Sequence, residues 1–294
     1  MSFNSRAHLR DCVTPLAGTP AFEVTVVDNA STDGCLDTVT ALPLKALALH
    51  ANGGFAHGCN AGWRTGRAPY VLFLNPDATI DPASALRLAD VLDRDHRVAV
   101  AAPMIVDADG TLDYSLRRFS RVRSTFARAL FLHRLFPSAT WSDEIVRDES
   151  VYETPGPAEW VSGACMLIRR TALEQVGGFD EGYFMYCEDQ DICRRLRNTG
   201  AEIWYEPSAR CVHEGGASAP RAALLPTLVG SRVRYATVHQ NRLLAGLERL
   251  GLAVEALVRV VATSRGRDVR AGHARALVRA AASSRAASSG TQAR

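Results

Sequence analysis

The chain has 294 residues, 47% of them apolar, which suffices for one large domain or two small ones and argues against disorder of the whole chain. Its formal charge of +3 is unevenly spread: residues 221–294 carry 13 arginines against three acidic residues, a balance of +10 that leaves −7 on residues 1–220. Two regions with different surroundings follow. The seven cysteines, at 12, 35, 59, 165, 187, 193 and 211, are odd in number and lack the C-x-x-C spacing of zinc sites and redox motifs, so they read as reduced thiols of a cytosolic protein. No apolar core of signal-peptide length opens the chain. The apolar stretch Val98 to Val106 is interrupted by Pro103 and falls well short of the ~20 residues that span a bilayer. A cytoplasmic protein is expected.

In chain order, strands are predicted at Phe22 to Val27, Leu44 to Leu49, Tyr70 to Leu74, Val98 to Val106 and Trp160 to Ile168. Their near-continuous Val, Ile and Leu content suggests burial on both faces, as in an α/β sheet covered by helices. Pro82, at a first helical position after Asp81, opens a helix whose Leu86, Leu88, Val91 and Leu92 form a stripe up to Asp95. A second helix is predicted from about Asp189 to Asn198, with Ile192 and Leu196 on one face and Gly200 just past its end. Beyond residue 228, Leu243, Leu247, Leu250, Val254, Leu257 and Val261 recur at three- and four-residue spacing among arginines, which predicts one long amphipathic helix or two broken near Gly251. From Ser264 onward Arg, Ala and Ser leave little to bury, and Ala281 to Arg294 is expected to be disordered.

Five stretches offer chemistry. VVDNASTDG, Val26 to Gly34, ends a strand where an α/β sheet meets ligands, so Asp28 and Asn29 could bind a nucleotide base or simply cap a turn. NGGFAHGCNAG, Asn52 to Gly62, turns sharply at Gly53-Gly54 and offers His57 and Asn60, as ligand contacts or as helix caps; it is neither a Walker loop nor G-x-G-x-x-G. Asn75-Pro76-Asp77 ends a strand abruptly, either as a turn or to hold out a carboxylate for a divalent cation and a diphosphate. GGFDEGYFMYCEDQDICRRL, Gly177 to Leu196, gathers five carboxylates beside aromatics. Acids at a helix start account for one or two of them, and an aromatic wall suits a sugar pocket in which a base takes an acceptor proton. In CVHEGGAS, His213 could be a metal ligand or an ordinary polar residue.

In order and spacing these strings, with YVLFLNPDA and WVSGACMLIRR between them, resemble the family 2 glycosyltransferases of GT-A fold, particularly the rhamnosyltransferase-like bacterial branch, over residues 2 to about 218. The resemblance implies a GT-A (Rossmann-like) mixed, mostly parallel sheet flanked by helices. It further implies a glycosyltransferase domain over residues 1–225, followed by a basic helical extension over 226–294. By the same resemblance Asp28 contacts the donor's base, with Phe3, Asn29, Asn60 and Asn75 also on the donor side, and Asp77 takes the D-x-D carboxylate that holds Mg or Mn. Of the Glu188-Asp189 pair, Asp189 is the general base; His213 completes the metal shell; Trp160, Gly163 and Asp191 are placed toward the acceptor. The activity implied is inverting, metal-dependent transfer from a nucleoside-diphosphate sugar, with dTDP-rhamnose as the candidate donor, to a glycan or lipid-linked acceptor in cell-surface polysaccharide synthesis. An inactive nucleotide-sugar-binding or scaffold protein of the same fold is the alternative. A sugar nucleotidyltransferase lacks support, because its Gly-rich N-terminal signature is absent.

Two departures from the family pattern stand out. Ser2-Phe3-Asn4-Ser5 matches the end of the family's first strand, yet only Met1 precedes it, so a central strand is missing and an upstream start or a truncated product is expected. Asn75 stands where many relatives have Asp, which lowers the charge available to a cation but is common in the rhamnosyltransferase-like branch. Leu116 to Arg128 and Phe131 to Phe136 form a basic, aromatic segment that either meets a lipid-linked diphosphate or is a solvated linker. The basic C-terminal region with its apolar stripe could lie on an anionic leaflet. Nucleic acid is not expected, since no base-stacking aromatics alternate with the arginines.

Overall fold

A computed structural model of the chain describes residues 1–137, 139–215, 221–262 and 267–282. In chain order the elements are α1 (Leu9–Val13), β1 (Thr25–Asp28), β2 (Lys45–Ala48), α2 (Phe55–Trp63), β3 (Tyr70–Leu74), β4 (Ala78–Ile80), α3 (Pro82–Arg94), β5 (Val98–Val106) and β6 (Leu116–Arg117). Then come α4 (Val122–Ala129), α5 (Leu132–Leu135), β7 (Gly156–Ala158), β8 (Trp160–Val161), β9 (Cys165–Arg169), α6 (Arg170–Gln175), α7 (Glu188–Asn198), β10 (Glu202–His213), α8 (Arg221–His239), α9 (Arg242–Ala262) and α10 (Arg267–Ala281). They form two compact units: residues 1–119 with 143–219, and residues 120–142 with 220–294.

The first unit is built on a sheet of order β3-β9-β5-β10-β4, with β7 also on β10. β5 and β10 pair in parallel, as do β1 and β2 in a sheet of their own; β9 runs against both β3 and β5, so β3, β5 and β10 share one direction. β5 is buried at all but one of its nine positions, as its apolar run implies for a strand covered on both faces. Leu88 and Leu92 of α3 pack with Ile80, Val98 and Ile105 in one core, whereas Ile192 and Leu196 of α7 pack with Val100, Met166 and Ile203 in another. Each such fully buried side chain contributes ~1.5–3 kcal/mol. α3 starts where its sequence signals place it: the Asp81 carboxylate accepts from the Ser84 N–H at 2.9 Å and Pro82 follows at the first position.

The single strand predicted over Trp160 to Ile168 is divided into β8 and β9, which belong to different sheets; Ser162, Gly163 and Ala164 form the break. Residues 120–142, assigned by sequence to the glycosyltransferase domain, cluster instead with the C-terminal helices.

In the second unit α9 is one unbroken helix through Gly251, whose missing side chain makes room for Thr125. Its buried face is Glu248, Gly251, Leu252 and Ala256, with Glu248 bonded to Thr125 at 2.5 Å and to Arg232 at 3.1 Å. The predicted apolar stripe is largely exposed, 72% at Leu243 and 78% at Val261. Residues 267–281, expected to have little to bury, form a helix that packs through small residues: Gly272, Ala276 and Ala280 face inward, against a core that includes Val229 and Leu252. Small side chains allow close helix contact, which a search for large apolar residues overlooks. Residues 283–294 of the segment expected to be disordered lie outside the described residues.

Candidate active site

The site begins at the end of β1. Asp28 is buried, and its Oδ1 accepts from the Ser31 N–H at 3.2 Å across a turn in which Ala30 takes a left-handed φ of 61°. Oδ2 has no protein partner among the described residues, leaving it able to accept from a ligand. The N-terminal stretch is tied to the same loop: the Asn4 N–H donates to Ser31 Oγ at 2.8 Å, and the Thr32 N–H to Asn4 Oδ1 at 2.9 Å. Phe3, partly buried, is thereby carried next to the Asp28 loop. Asn29 does not face outward. Fully buried, it donates to Asn52 Oδ1 and the Gly54 carbonyl, and accepts from the Gly53 N–H, so its amide holds the Gly53-Gly54 turn.

That turn clasps the acidic loop. The Phe55 N–H donates to the Phe184 carbonyl at 2.8 Å, and a Cβ on Gly54, whose φ is +89°, would run into the same carbonyl. Asn60, expected at the donor, is instead 1% exposed and fully engaged. It donates to the Phe179 carbonyl and Glu181 and accepts from the Phe179 N–H and the Trp63 indole N–H. Glu181 also bonds His57 Nδ1 at 2.7 Å, and this bond above all holds its carboxyl below the ordinary value. Asp191, expected toward the acceptor, is fully buried; it pairs with Arg195 at 2.7 Å, and Arg195 donates to the carbonyls of Val176 and Gly178. Its i,i+4 spacing to Arg195 was the readable sign of a structural pair.

β3 ends at Asn75, and the antiparallel β4–β10 ladder sets His213 across from Ala78, beside Asp77. His213 Nε2 lies 3.3 Å from Asp77 Oδ1 and 3.5 Å from the Asn75 amide nitrogen. Burial works against the Asp77 charge, but the hydrogen bond and charge of His213 outweigh it and lower the carboxyl's pKa. The amide's nitrogen and oxygen are interchangeable by rotation, so three polar side chains converge on one point. The donor set fits Mg or Mn: a carboxylate and an imidazole, with an amide oxygen available, suit an ion whose remaining positions go to phosphate oxygens and water. Among the described residues no group of three or more His, Cys, Asp or Glu side chains could hold a metal, so the protein alone does not complete a cage.

α7 is entered through two consecutive left-handed residues, Tyr186 and Cys187, with φ of 71° and 67°, a strained entry for non-glycine side chains. It turns Glu188 and Asp189 to different surroundings. Glu188 is buried, its Oε2 has no hydrogen-bond partner, and burial followed by the neighbouring Asp189 charge pushes its pKa well up. Asp189 is partly exposed. Its Oδ2 accepts from the Gly163 N–H at 3.0 Å and Oδ1 from the Gln190 N–H at 2.8 Å. Burial raises its pKa, and these N–H groups with the Arg117 charge only partly oppose the rise. Gly163, expected at the acceptor, thus holds the Asp189 carboxylate. The adjacent Ala164 carbonyl accepts from the Asn75 N–H at 2.9 Å, so successive residues of one short loop brace Asp189 and the Asn75-Pro76-Asp77 turn. Trp160 is partly exposed and donates to the Arg118 carbonyl at 3.0 Å.

A sheet carrying a carboxylate at one strand end, a carboxylate–imidazole pair at another and a braced carboxylate nearby is the layout of a GT-A glycosyltransferase. The model of the glycosyl transferase family 2 matches residues 1–177, and the chain belongs to that family. An N-acetylglucosaminyl-diphospho-decaprenol L-rhamnosyltransferase of Mycobacterium tuberculosis is 35% identical over 211 residues, covering 67% of this chain and 68% of that protein. Rhamnosyltransferase WbbL of Escherichia coli K12 is 29% identical over 198 residues, covering 60% of this chain and 70% of that protein. Among solved structures, the mannosyltransferase PcManGT of Pyrobaculum calidifontis, in complex with GDP-Man and Mn2+, superposes with a TM-score of 0.56 at 16% identity, over 95% of this chain and 84% of that one. GalNAc-T7 with UDP, GalNAc and Mn2+ gives 0.54 at 14% identity, over 86% of this chain and 47% of that one. These structures share the fold.

Proposed function

We propose that the chain catalyses inverting transfer of rhamnose from a nucleoside-diphosphate sugar, dTDP-rhamnose as the working donor, to a hydroxyl of a lipid-linked glycan during cell-surface polysaccharide synthesis. The observation that carries this reading is the Gly163-Ala164 brace, which couples a partly exposed carboxylate of raised pKa to the Asp77–His213 pair. Asp28 Oδ2 accepts from the N–H of the donor's base. Asp77 and His213, with Asn75, would hold Mg or Mn, which when bound would supply positive charge against the departing diphosphate. Asp189 accepts the acceptor's hydroxyl proton as the oxygen attacks the anomeric carbon from the face opposite the leaving group. Glu188 is held inside, where burial and the Asp189 charge push its pKa up, so Asp189 alone faces the acceptor. Asn29 and Asn60 act through the loops they hold. The rhamnosyltransferase identity of the two relatives supports the choice of sugar, and the decaprenol relative supports a polyprenyl-diphosphate-linked acceptor.

The exposed Leu243, Leu250, Leu257 and Val261 of α9, in a region of +10, support a peripheral contact with an anionic leaflet where such an acceptor resides. Among the described residues no helix is long and apolar enough to cross a membrane. Release of dTDP from dTDP-rhamnose, measured with and without Mn and with a polyprenyl-diphospho-N-acetylglucosamine acceptor, tests the reading. Turnover that needs both metal and acceptor is expected; binding of the donor with no turnover under any condition favours the inactive binding protein.

A further inference from the structure

The short sheet of β6 and β8 sets a cation on the Asp189 side of the site. Arg117 pairs with Trp160 and Leu116 with Val161, and a further bridge places Ile145 across from Arg117 on its other side. Leu116 and Val161 belong to the core, so by the alternation of a strand Arg117 and Trp160 share the opposite face, and both stay partly exposed. The pairing runs on to Ser162, whose N–H donates to the Ser115 carbonyl at 3.2 Å, and Gly163 follows with its bond to Asp189. The Arg117 charge is felt at Asp189, where it acts against the effect of burial.

What sets Arg117 apart is the lack of an acceptor. Its Nε is buried with no hydrogen-bond partner, and among the described residues no carboxylate or carbonyl takes its guanidinium N–H groups. Nearby arginines differ: Arg118 donates to the Ile145 carbonyl, Arg147 pairs with Asp143 at 3.1 Å and Arg195 with Asp191 at 2.7 Å. A guanidinium stays charged, and withdrawing it from water without a partner is costly, so this position calls for an anion from outside the chain. Its planar fork matches phosphate oxygens two at a time. We propose that Arg117 binds a diphosphate, that of the acceptor substrate, with Trp160 beside it against the acceptor's sugar. The inference rests on the reading of Asp189 as the acceptor-side base. The Ala164 carbonyl ties the Asn75-Pro76-Asp77 turn, assigned to the donor, to the far side of the short loop, whereas β8, and with it Arg117, enters that loop on the side of Gly163 and Asp189. In a sugar joined to diphosphate through its anomeric carbon, the hydroxyl offered to Asp189 and the diphosphate belong to one ring, so a single acceptor can meet both groups. The donor's diphosphate has the same chemistry, and the test separates the two sources.

The test is calorimetry on the full chain as wild type, Arg117→Gln and Arg117→Lys, with three ligands: farnesyl-diphospho-N-acetylglucosamine, the phosphate-free farnesyl glycoside of the same sugar, and dTDP with Mn. In Arg117→Gln the preference for the diphosphate compound over the phosphate-free one is expected to shrink at least tenfold, while dTDP affinity, which also reports folding, stays within about twofold. Arg117→Lys keeps the charge and loses the fork, so its preference is expected to fall between the other two. An unchanged preference in both variants would overturn the inference, as would a wild-type chain that binds neither farnesyl compound. Loss of dTDP affinity with acceptor affinity intact would move Arg117 to the donor and overturn it too. Equal loss of all three ligands in both variants would make Arg117 structural. Acceptor binding that depends on Arg117 in a chain that shows no transfer would leave the inference standing and end the proposed activity; transfer with acceptor affinity untouched by Arg117→Gln would do the reverse.

Discussion

Asp189 and Glu188 are neighbours with opposite fates, and the difference is one of hydrogen bonding. Asp189 has two backbone N–H donors and partial exposure; Glu188 has burial and an oxygen with no partner. Asp189→Asn keeps the shape and removes the base, so kcat should fall by ~10²–10⁴-fold. Binding of dTDP, followed by calorimetry, should stay within about twofold. Wild-type turnover in this variant would end the base assignment. With Asp189 as the proposed base, its pKa raised from an ordinary 3.8 by burial while that of Asp77 is lowered, the acid limb of the kcat/KM profile should follow Asp189 and lie above 3.8. Glu188 bears on stability. A carboxyl whose folded pKa is raised leaves stability intact below its ordinary value of 4.5, and stability is lost as pH rises from there toward the folded pKa. Glu188→Gln removes that loss, so the variant should be more stable than the parent at neutral pH and no more stable at pH 4. Urea titrations at the two pH values decide this, and a parent and variant that differ equally at both would show Glu188 to be uninvolved.

At the scale of elements, strands with continuous apolar runs were legible almost to the residue. Tyr70 to Leu74 and Val98 to Val106 are observed as predicted; the second is buried on both faces, whereas the first is largely half-buried, with only Phe73 fully inside. Trp160 to Ile168 was misread as one strand, since a break made by hydrogen bonds to distant residues leaves no mark in apolar content. For the same reason the sequence named Asn29, Asn60 and Asp191 as ligand contacts. Polar residues in a motif reveal that polar partners are needed, but which partners emerges only when remote loops meet. Gly54 shows how much rests on one such meeting. An L residue at its φ of +89° and ψ of 178°, a region essentially confined to glycine, is strained by ~1–3 kcal/mol, and a methyl group there would collide with the Phe184 carbonyl. Gly54→Ala should therefore cost more than ~2 kcal/mol and lower activity with it, whereas Gly110→Ala, with a similar φ and open space around it, should cost only the strain. Equal losses of stability in the two variants would mean that the clasp contributes nothing. On α9, replacing Leu243, Leu250 and Leu257 by Ser should reduce co-sedimentation with phosphatidylglycerol vesicles at least tenfold without lowering helicity. Unchanged sedimentation would remove the leaflet contact.

For the molecule as a whole, every residue proposed to hold the donor or the metal, from Phe3 to His213, belongs to the first compact unit, and the second unit is helical with its own core. Ligand binding stabilises only what it binds, so the donor should move the melting transition of the first unit and leave a separately melting helical unit where it was. At a hundred times its dissociation constant a ligand adds ~2.7 kcal/mol, a shift of several degrees for a unit of this size. dTDP-rhamnose with Mn should produce that shift, and GDP-mannose with Mn should produce less. Omitting Mn, or introducing Asp77→Asn or His213→Ala, should remove most of it, because the diphosphate then meets the Asn75 turn without a shared cation. A full shift in the absence of metal would instead mean that Asp77 and His213 pair for the sake of the β4–β10 ladder alone, and the metal would drop out of the proposal while the base and the brace beneath it remained.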